Sequence, residues 1–232
     1  MKPNAEKIIV ALDFDNAATA TTMAQMLSGS GIKFKVGMEL FYAEGPSILD
    51  KIQKYGDVFL DLKLHDIPET MAKAAKVLCD MGVWMFNVHA SAGPVALNRV
   101  AETVISHSEK KNGPKPLLIA VTVLTSLSDL SCLGASSDVN ATALALAKLS
   151  RDAGLDGVVC SPREVPTIKT LGQNFLCVTP GIRGPQDVTT DQIRTATPKE
   201  AIANGADYLV IGRPITKAKD PKEALAILLQ NL

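Results

Sequence analysis

Eight short runs rich in β-branched and aliphatic residues follow one another along the chain, and segments with helix-forming character separate them. The runs are KIIVALD (7–13), IKFKVG (32–37), DVFLDLK (57–63), WMFNVHA (84–90), PLLIAVTVL (116–124), DGVVC (156–160), FLCVT (175–179) and DYLVIG (207–212). Between them lie patterns such as ATALALAKLSRDAG (141–154), whose final glycine suits a helix C-terminus. Strict strand–helix alternation implies parallel strands joined by helical crossovers, and eight such units match a (β/α)8, or TIM, barrel. A doubly wound open sheet is the alternative. Against it, the first run leads into DFDNAATA and not into a glycine-rich dinucleotide turn.

One domain spanning residues 1–232 is expected, because a 232-residue chain with 47% hydrophobic residues can fill one barrel-sized core. Lys and Arg number 24, as do Asp and Glu, and aromatics are only 4%; the chain thus lacks both the basic stripe and the stacking surface that nucleic-acid binding needs. Cys79, Cys132, Cys160 and Cys177 show no paired or zinc-like spacing and read as reduced, buried thiols. No apolar run is long enough to cross a bilayer and the N-terminal stretch has no leader pattern, so a cytoplasmic protein without membrane contact is expected.

A barrel turns spacing into geometry. In DLKLHDIPET (61–70), side-chain alternation sends Leu60, Leu62 and Leu64 outward under the helices and turns Asp61 and Lys63 toward the barrel axis. Both fall at the C-terminal end of a strand, where barrel active sites lie, and Asp13 and Lys35 occupy the same end of the first two strands. A solvated strand edge would explain the charges in an open sheet, but a closed barrel has no such edge. Asp66 also reads as a helix N-cap, with Pro68 in the first turn and Glu69 completing a capping box. His65 and His89 read as supporting or core groups, His107 as a residue near a polar loop with no specific role, and Trp84 as packing.

A second cluster lies near the C-terminus. GADYLVIGRPIT places Gly212 and Arg213 where the last strand meets a short helix, a position at which barrels commonly bind phosphate. The preceding loop, TPGIRGPQDVTTDQIR, adds Arg183 and Gln192. No pyridoxal-type lysine pattern, metal-ligand spacing or dinucleotide fingerprint appears, so the acid chemistry falls to side chains, with no metal and no cofactor. Lys35, Asp61, Lys63 and Asp66 alternate in sign, and each lysine is held charged by flanking carboxylates. Such an ammonium can protonate a carbanion, while the adjacent carboxylate repels an anionic group about to leave and remote phosphate binding holds the substrate.

DLKLHDIPET, KVGMELF, VTVLTS, TPGIR, the Asp191–Gln192 pair and GADYLVIGRPI, in this order, resemble the orotidine 5'-monophosphate decarboxylase family of the bacterial type over almost the whole chain. The resemblance implies conversion of orotidine 5'-monophosphate to uridine 5'-monophosphate. Lys63 would protonate C6 of the pyrimidine and Asp61 would lie against the substrate carboxylate. Lys35 would bridge this network and the ribose, and Asp13 would accept bonds from ribose hydroxyls. Asp66 and Thr70 would reach into the neighbouring subunit's site, making a homodimer the functional unit. Thr125 and Ser126 would read the pyrimidine; Arg183, Gln192, Gly212 and Arg213 would clamp the phosphate, with Gln192 extending toward the base. The chain departs from the family pattern at Gly184, where proline usually follows the arginine. Two rivals share the barrel. A metal-dependent sugar-phosphate decarboxylase or aldolase would carry a glutamate where this chain has Lys35, and a non-catalytic phosphate-binding barrel would be expected to have lost part of the Asp-Lys-Asp set.

Overall fold

Each of the apolar runs forms a strand, and every strand pairs with its successor in sequence. The structure, a computed structural model, describes residues 4–131, 138–182 and 195–232. The strands are β1 (Ile8–Ala11), β2 (Lys33–Gly37), β3 (Val58–Leu64), β4 (Met85–His89), β5 (Leu117–Val121), β6 (Gly157–Val159), β7 (Leu176–Thr179) and β8 (Tyr208–Ile211). All pairs are parallel, and β1 also pairs with β8, which closes the barrel and excludes the open sheet. The described helices are α1 (Ala17–Leu27), α2 (Met38–Glu44), α3 (Ser47–Ile52), α4 (Pro68–Asp80), α5 (Pro94–Lys111), α6 (Val139–Asp152), α7 (Val165–Lys169), α8 (Pro198–Ala203), α9 (Arg213–Thr216) and α10 (Pro221–Gln230).

Local chemistry sets the helix boundaries. Asn16 and Asp138 cap α1 and α6 by accepting from the N–H groups of Thr19 and Ala141, and Thr197 with Glu200 forms a capping box on α8. Beyond α6, Gly154 adopts φ +82°, the left-handed turn expected of a glycine after a helix end. The apolar run at 116–124 outlasts its strand: after Val121 the chain leaves the ladder, and Val123 joins Leu130, Val139 and Ala143 in a small cluster beneath α6.

Strand alternation divides the core in two. Outward side chains such as Val10, Phe34, Leu60, Phe86 and Leu209 pack under the helices, whereas Ile9, Phe59, Met85, Ile119, Val178 and Val210 fill the barrel interior. Trp84 packs edge-on against Tyr208 at 5.1 Å, as expected of a packing residue, and Lys33 lies over its ring while pairing with Asp57 at 3.0 Å. Cys160 and Cys177 are buried and Cys79 is half-buried; all three are free thiols, and Cys132 lies outside the described residues.

His107 differs from expectation. Its Nε2 lies 2.8 Å from Asp80 Oδ1, tying α5 to α4, and the ring is buried. The reason is the length of α5: the helix continues to Lys111, so His107 falls on its inner face with Val104 and Ser108 and meets Asp80, which gives it a partner that proximity to the polar loop did not suggest.

The β6–β7 pairing admits no side chain at Gly157, where an added Cβ would meet the Leu176 carbonyl oxygen at 2.3 Å. Gly157→Ala should therefore destabilise the barrel by about 1–3 kcal/mol. Gly113→Ala, with nothing within 4 Å of the added Cβ, should change stability by no more than about 0.5 kcal/mol. Urea midpoints of the two variants would check both; equal midpoints would contradict the close strand approach.

Candidate active site

Charged side chains converge at the C-terminal ends of β1, β2 and β3. Lys35 Nζ donates to Asp13 Oδ1 at 2.8 Å and lies 3.4 Å from Asp61 Oδ2, while Lys63 Nζ donates to Asp61 Oδ1 at 2.6 Å. The four groups form a chain alternating in sign, Asp13–Lys35–Asp61–Lys63. The Leu12 N–H donates to the Lys35 carbonyl at 2.9 Å, holding the end of β1 in step with β2. Gly37 leaves room for the ion pair, since a Cβ there would come within 3.0 Å of both Asp13 Oδ1 and Lys35 Nζ.

Electrostatics fix the protonation of the central pair. Burial works against a charge on Lys35, but the carboxylates of Asp61 and Asp13 outweigh it and raise its pKa above the ordinary value. Burial likewise opposes the charge on Asp61, and Lys35, Lys63 and a hydrogen bond from Asn87 together hold its pKa below the ordinary value. Both groups stay ionised although largely shielded from water.

These residues form one wall of a cavity of about 460 Å³, large enough for a small ligand. Asp13, Lys35, Asp61, Lys63 and Thr125 line it together with Gly212, Arg213 and Lys217. Lys217 carries no motif in the sequence; a basic position four residues beyond Arg213 is the one signal for it. Ser126 is exposed and does not line the cavity. Arg183, Gly184 and Gln192 lie outside the described residues.

Strand β3 is less regular than simple alternation implies. Leu62 and Leu64 pack outward as expected, but Lys63 adopts φ +54° and the β3–β4 register shifts between Leu60 and Leu64. Opposite this irregularity stands Asn87, 1% exposed, a residue that no motif in the sequence marks. Its Oδ1 accepts the Lys63 backbone N–H at 2.8 Å and its Nδ2 donates to Asp61 Oδ1 at 2.7 Å. A polar residue at an inward position of the otherwise apolar WMFNV stretch was the only sequence signal for it.

Asp66 does not cap α4. The cap position is Ile67, without a side-chain bond, and Asp66 Oδ1 instead accepts the adjacent Ile67 N–H at 2.7 Å. Helix α4 starts at Pro68, one residue too late for a box between Asp66 and Glu69, and Glu69 pairs with Arg99 at 2.7 Å. Asp66 and Thr70 are exposed and do not line the cavity of their own chain. The rings of His65 and His89 lie 5.2 Å apart beside the array; burial, helped by the charges of His65 and Lys63, lowers the pKa of His89. Among the described residues no three His, Cys, Asp or Glu side chains converge as a metal site requires.

The sequence profile of the "Orotidine 5'-phosphate decarboxylase / HUMPS family" matches residues 6–227. The chain is 47% identical to an orotidine 5'-phosphate decarboxylase of Dichelobacter nodosus, over 99% of this chain and 100% of that one. It is 44% identical to the enzyme of that name from Teredinibacter turnerae, over the full length of both. The crystal structure of orotidine 5'-phosphate decarboxylase from Lactobacillus acidophilus superposes with a TM-score of 0.83 at 38% identity, covering 97% of each chain.

Lys35 and Asp61 give the array a defined pH response at its two extremes. Asp61 has a lowered folded pKa, so its contribution to stability is present above the ordinary 3.8 and is lost as pH falls through the folded value. Lys35 has a raised folded pKa, so its contribution is present below 10.5 and is lost as pH rises through the folded value. As pH falls below 3.8, the wild type should therefore lose urea midpoint relative to Asp61→Asn. A difference that stays constant down to the acid-unfolding range would contradict the stated ionisation.

Proposed function

The chain belongs to the orotidine 5'-phosphate decarboxylase / HUMPS family, and we propose that it decarboxylates orotidine 5'-monophosphate to uridine 5'-monophosphate without a metal or cofactor, Lys63 supplying the proton. This is the last step of de novo uridine 5'-monophosphate synthesis. The array Asp13–Lys35–Asp61–Lys63, facing Arg213 and Lys217 across one cavity, carries the assignment. Two ammonium groups among the carboxylates oppose a divalent cation and leave acid chemistry as what the site offers.

The phosphate would sit at Gly212 and Arg213, joined by Arg183 and Gln192, and binding energy there would hold the pyrimidine against the array. Thr125 and Ser126 would bond the base, and Asp13 and Lys35 the ribose. The bond from C6 to the substrate carboxylate breaks heterolytically, carbon dioxide leaves, and the electron pair stays on C6. A proton from Lys63 Nζ quenches that carbanion, leaving a neutral amine that solvent reprotonates. Asp61, anchored by Lys63, Lys35 and Asn87, would place its charge beside the departing carboxylate, and that repulsion eases as carbon dioxide forms.

A homodimer is part of the proposal. Met38, Tyr42, Ile67, Val95 and Leu124 are exposed apolar side chains that follow the C-terminal ends of β2, β3, β4 and β5, on the cavity side of the barrel. Exposed apolar side chains at one end of a barrel support a subunit contact there. Asp66 and Thr70 flank Ile67 and would enter the partner's cavity. The one-domain enzyme over residues 1–232 would work in the cytoplasm, with no nucleic-acid or membrane partner; no described helix is long and apolar enough to cross a bilayer.

With excess chelator present, the wild type should convert orotidine 5'-monophosphate at full rate. Lys63→Ala should lose several orders of magnitude in kcat while still binding uridine 5'-monophosphate. Turnover that requires added magnesium, or a Lys63→Ala variant of near-normal rate, would overturn the mechanism. Mixing inactive Lys63→Ala and Asp66→Ala chains should restore activity, because one site of each heterodimer then carries neither lesion. Subunit exchange without recovery would place Asp66 in its own chain's site.

A further inference from the structure

The Lys63 backbone occupies a conformation that costs a non-glycine residue energy, and the surrounding structure has to hold it there. On β3 the chain advances from Leu60 to Leu64 while β4 advances only from Phe86 to Val88, so residues between these pairs lose regular ladder partners. The Lys63 N–H is one of the groups that must be satisfied elsewhere. It donates to Asn87 Oδ1 at 2.8 Å, and Asn87, between Phe86 and Val88 on β4, is itself fixed by pairing with Ile119 of β5.

The other end of the same amide reaches Asp61. A backbone N–H can only donate and a carboxylate can only accept, so the orientation of the Asn87 amide is determined by its two partners. Asp61 Oδ1 thus receives Asn87 Nδ2 at 2.7 Å and Lys63 Nζ at 2.6 Å, leaving Oδ2 to face Lys35 at 3.4 Å. One buried side chain sets both the backbone from which Lys63 projects and the rotation of the carboxylate that receives its ammonium.

We propose that Asn87 is a positioning residue for the decarboxylation: it clamps the left-handed turn at Lys63 to the carboxylate of Asp61, so that the proton donor and the repelling charge keep a fixed mutual geometry. This rests on the decarboxylase reading of the site. Asn87 does not line the cavity and acts through its two neighbours. Its hydrogen bond also helps keep Asp61 ionised.

The test counts turnover per competent site. Sites in wild type, Asn87→Ala and Asn87→Asp are titrated calorimetrically with uridine 5'-monophosphate, and kcat for orotidine 5'-monophosphate is measured per counted site across pH. Asn87→Ala should lose about 100-fold in kcat per site, the order expected for a small misplacement of a reacting group, while KM moves by less than about threefold because Arg213 still holds the phosphate. Asn87→Asp keeps the acceptor for the Lys63 N–H but sets a second carboxylate against Asp61. Its rate per site should be low at neutral pH and rise as pH falls, because a protonated carboxyl can donate as the amide does; the wild-type rate should show no such rise. A residue that merely stabilised the barrel would change the number of competent sites and leave kcat per site at the wild-type value in both variants, and that result would overturn the proposal. Should Asn87→Ala fail to fold, the isosteric Asn87→Asp decides alone, a wild-type rate without the acid rise being the contrary outcome. A wild type without decarboxylase activity would overturn the reading of the site and this inference together, whereas an active wild type with unaltered variants would overturn only the inference.

Discussion

The carboxylate of Asp61 is the point on which the site depends. It is largely shielded from water, it is ionised, and it accepts from Lys63 and Asn87 while facing Lys35. A carboxylate in such a place survives only because each oxygen has charged or polar company, and removing one partner from a buried ion pair costs about 3–5 kcal/mol. The arrangement is therefore interdependent. Lys35 needs Asp61 and Asp13 to remain charged against its burial, and Asp61 needs the two lysines in return.

The barrel makes this concentration of charge possible by separating it from the apolar core. Lower in the barrel, Ile9, Phe59, Met85 and Ile119 fill the interior, and Trp84 with Tyr208 closes the N-terminal end. At the upper end the same inward positions carry Lys35, Asp61 and Asn87. The inward face of β3 and β4 thus carries apolar packing below and the polar array above, while the outward face supports the helices. Parallel pairing brings the ends of β1, β2 and β3 side by side, so residues distant in sequence form a continuous array.

Much of this was legible in the sequence because it follows from periodicity. The apolar runs correspond to the strands, and the charged residues interrupting them at Lys35, Asp61 and Lys63 mark where the array forms. What was not legible depends on partners distant along the chain. Asn87 pairs with groups 24 and 26 residues away, and nothing in WMFNVHA announces them. The left-handed turn at Lys63 breaks a pattern that otherwise reads as plain alternation. At Asp66 the box motif was misleading because Pro68 fixes the helix start and Arg99, 30 residues on, takes Glu69. The role of His107 was hidden by a helix boundary: its contact with Asp80 exists because α5 runs on to Lys111.

Protonation of the substrate carbon by this array would require Lys63 Nζ to lie within reach of C6. A crystal structure of the protein with bound uridine 5'-monophosphate tests it most directly. The expected result places the phosphate on Arg213 and Gly212 and Lys63 Nζ within about 3–3.5 Å of C6, the separation of groups poised to react, with Asp61 still bonded to Asn87. A nucleotide whose C6 points away from Lys63, or whose phosphate lies elsewhere, would contradict the account.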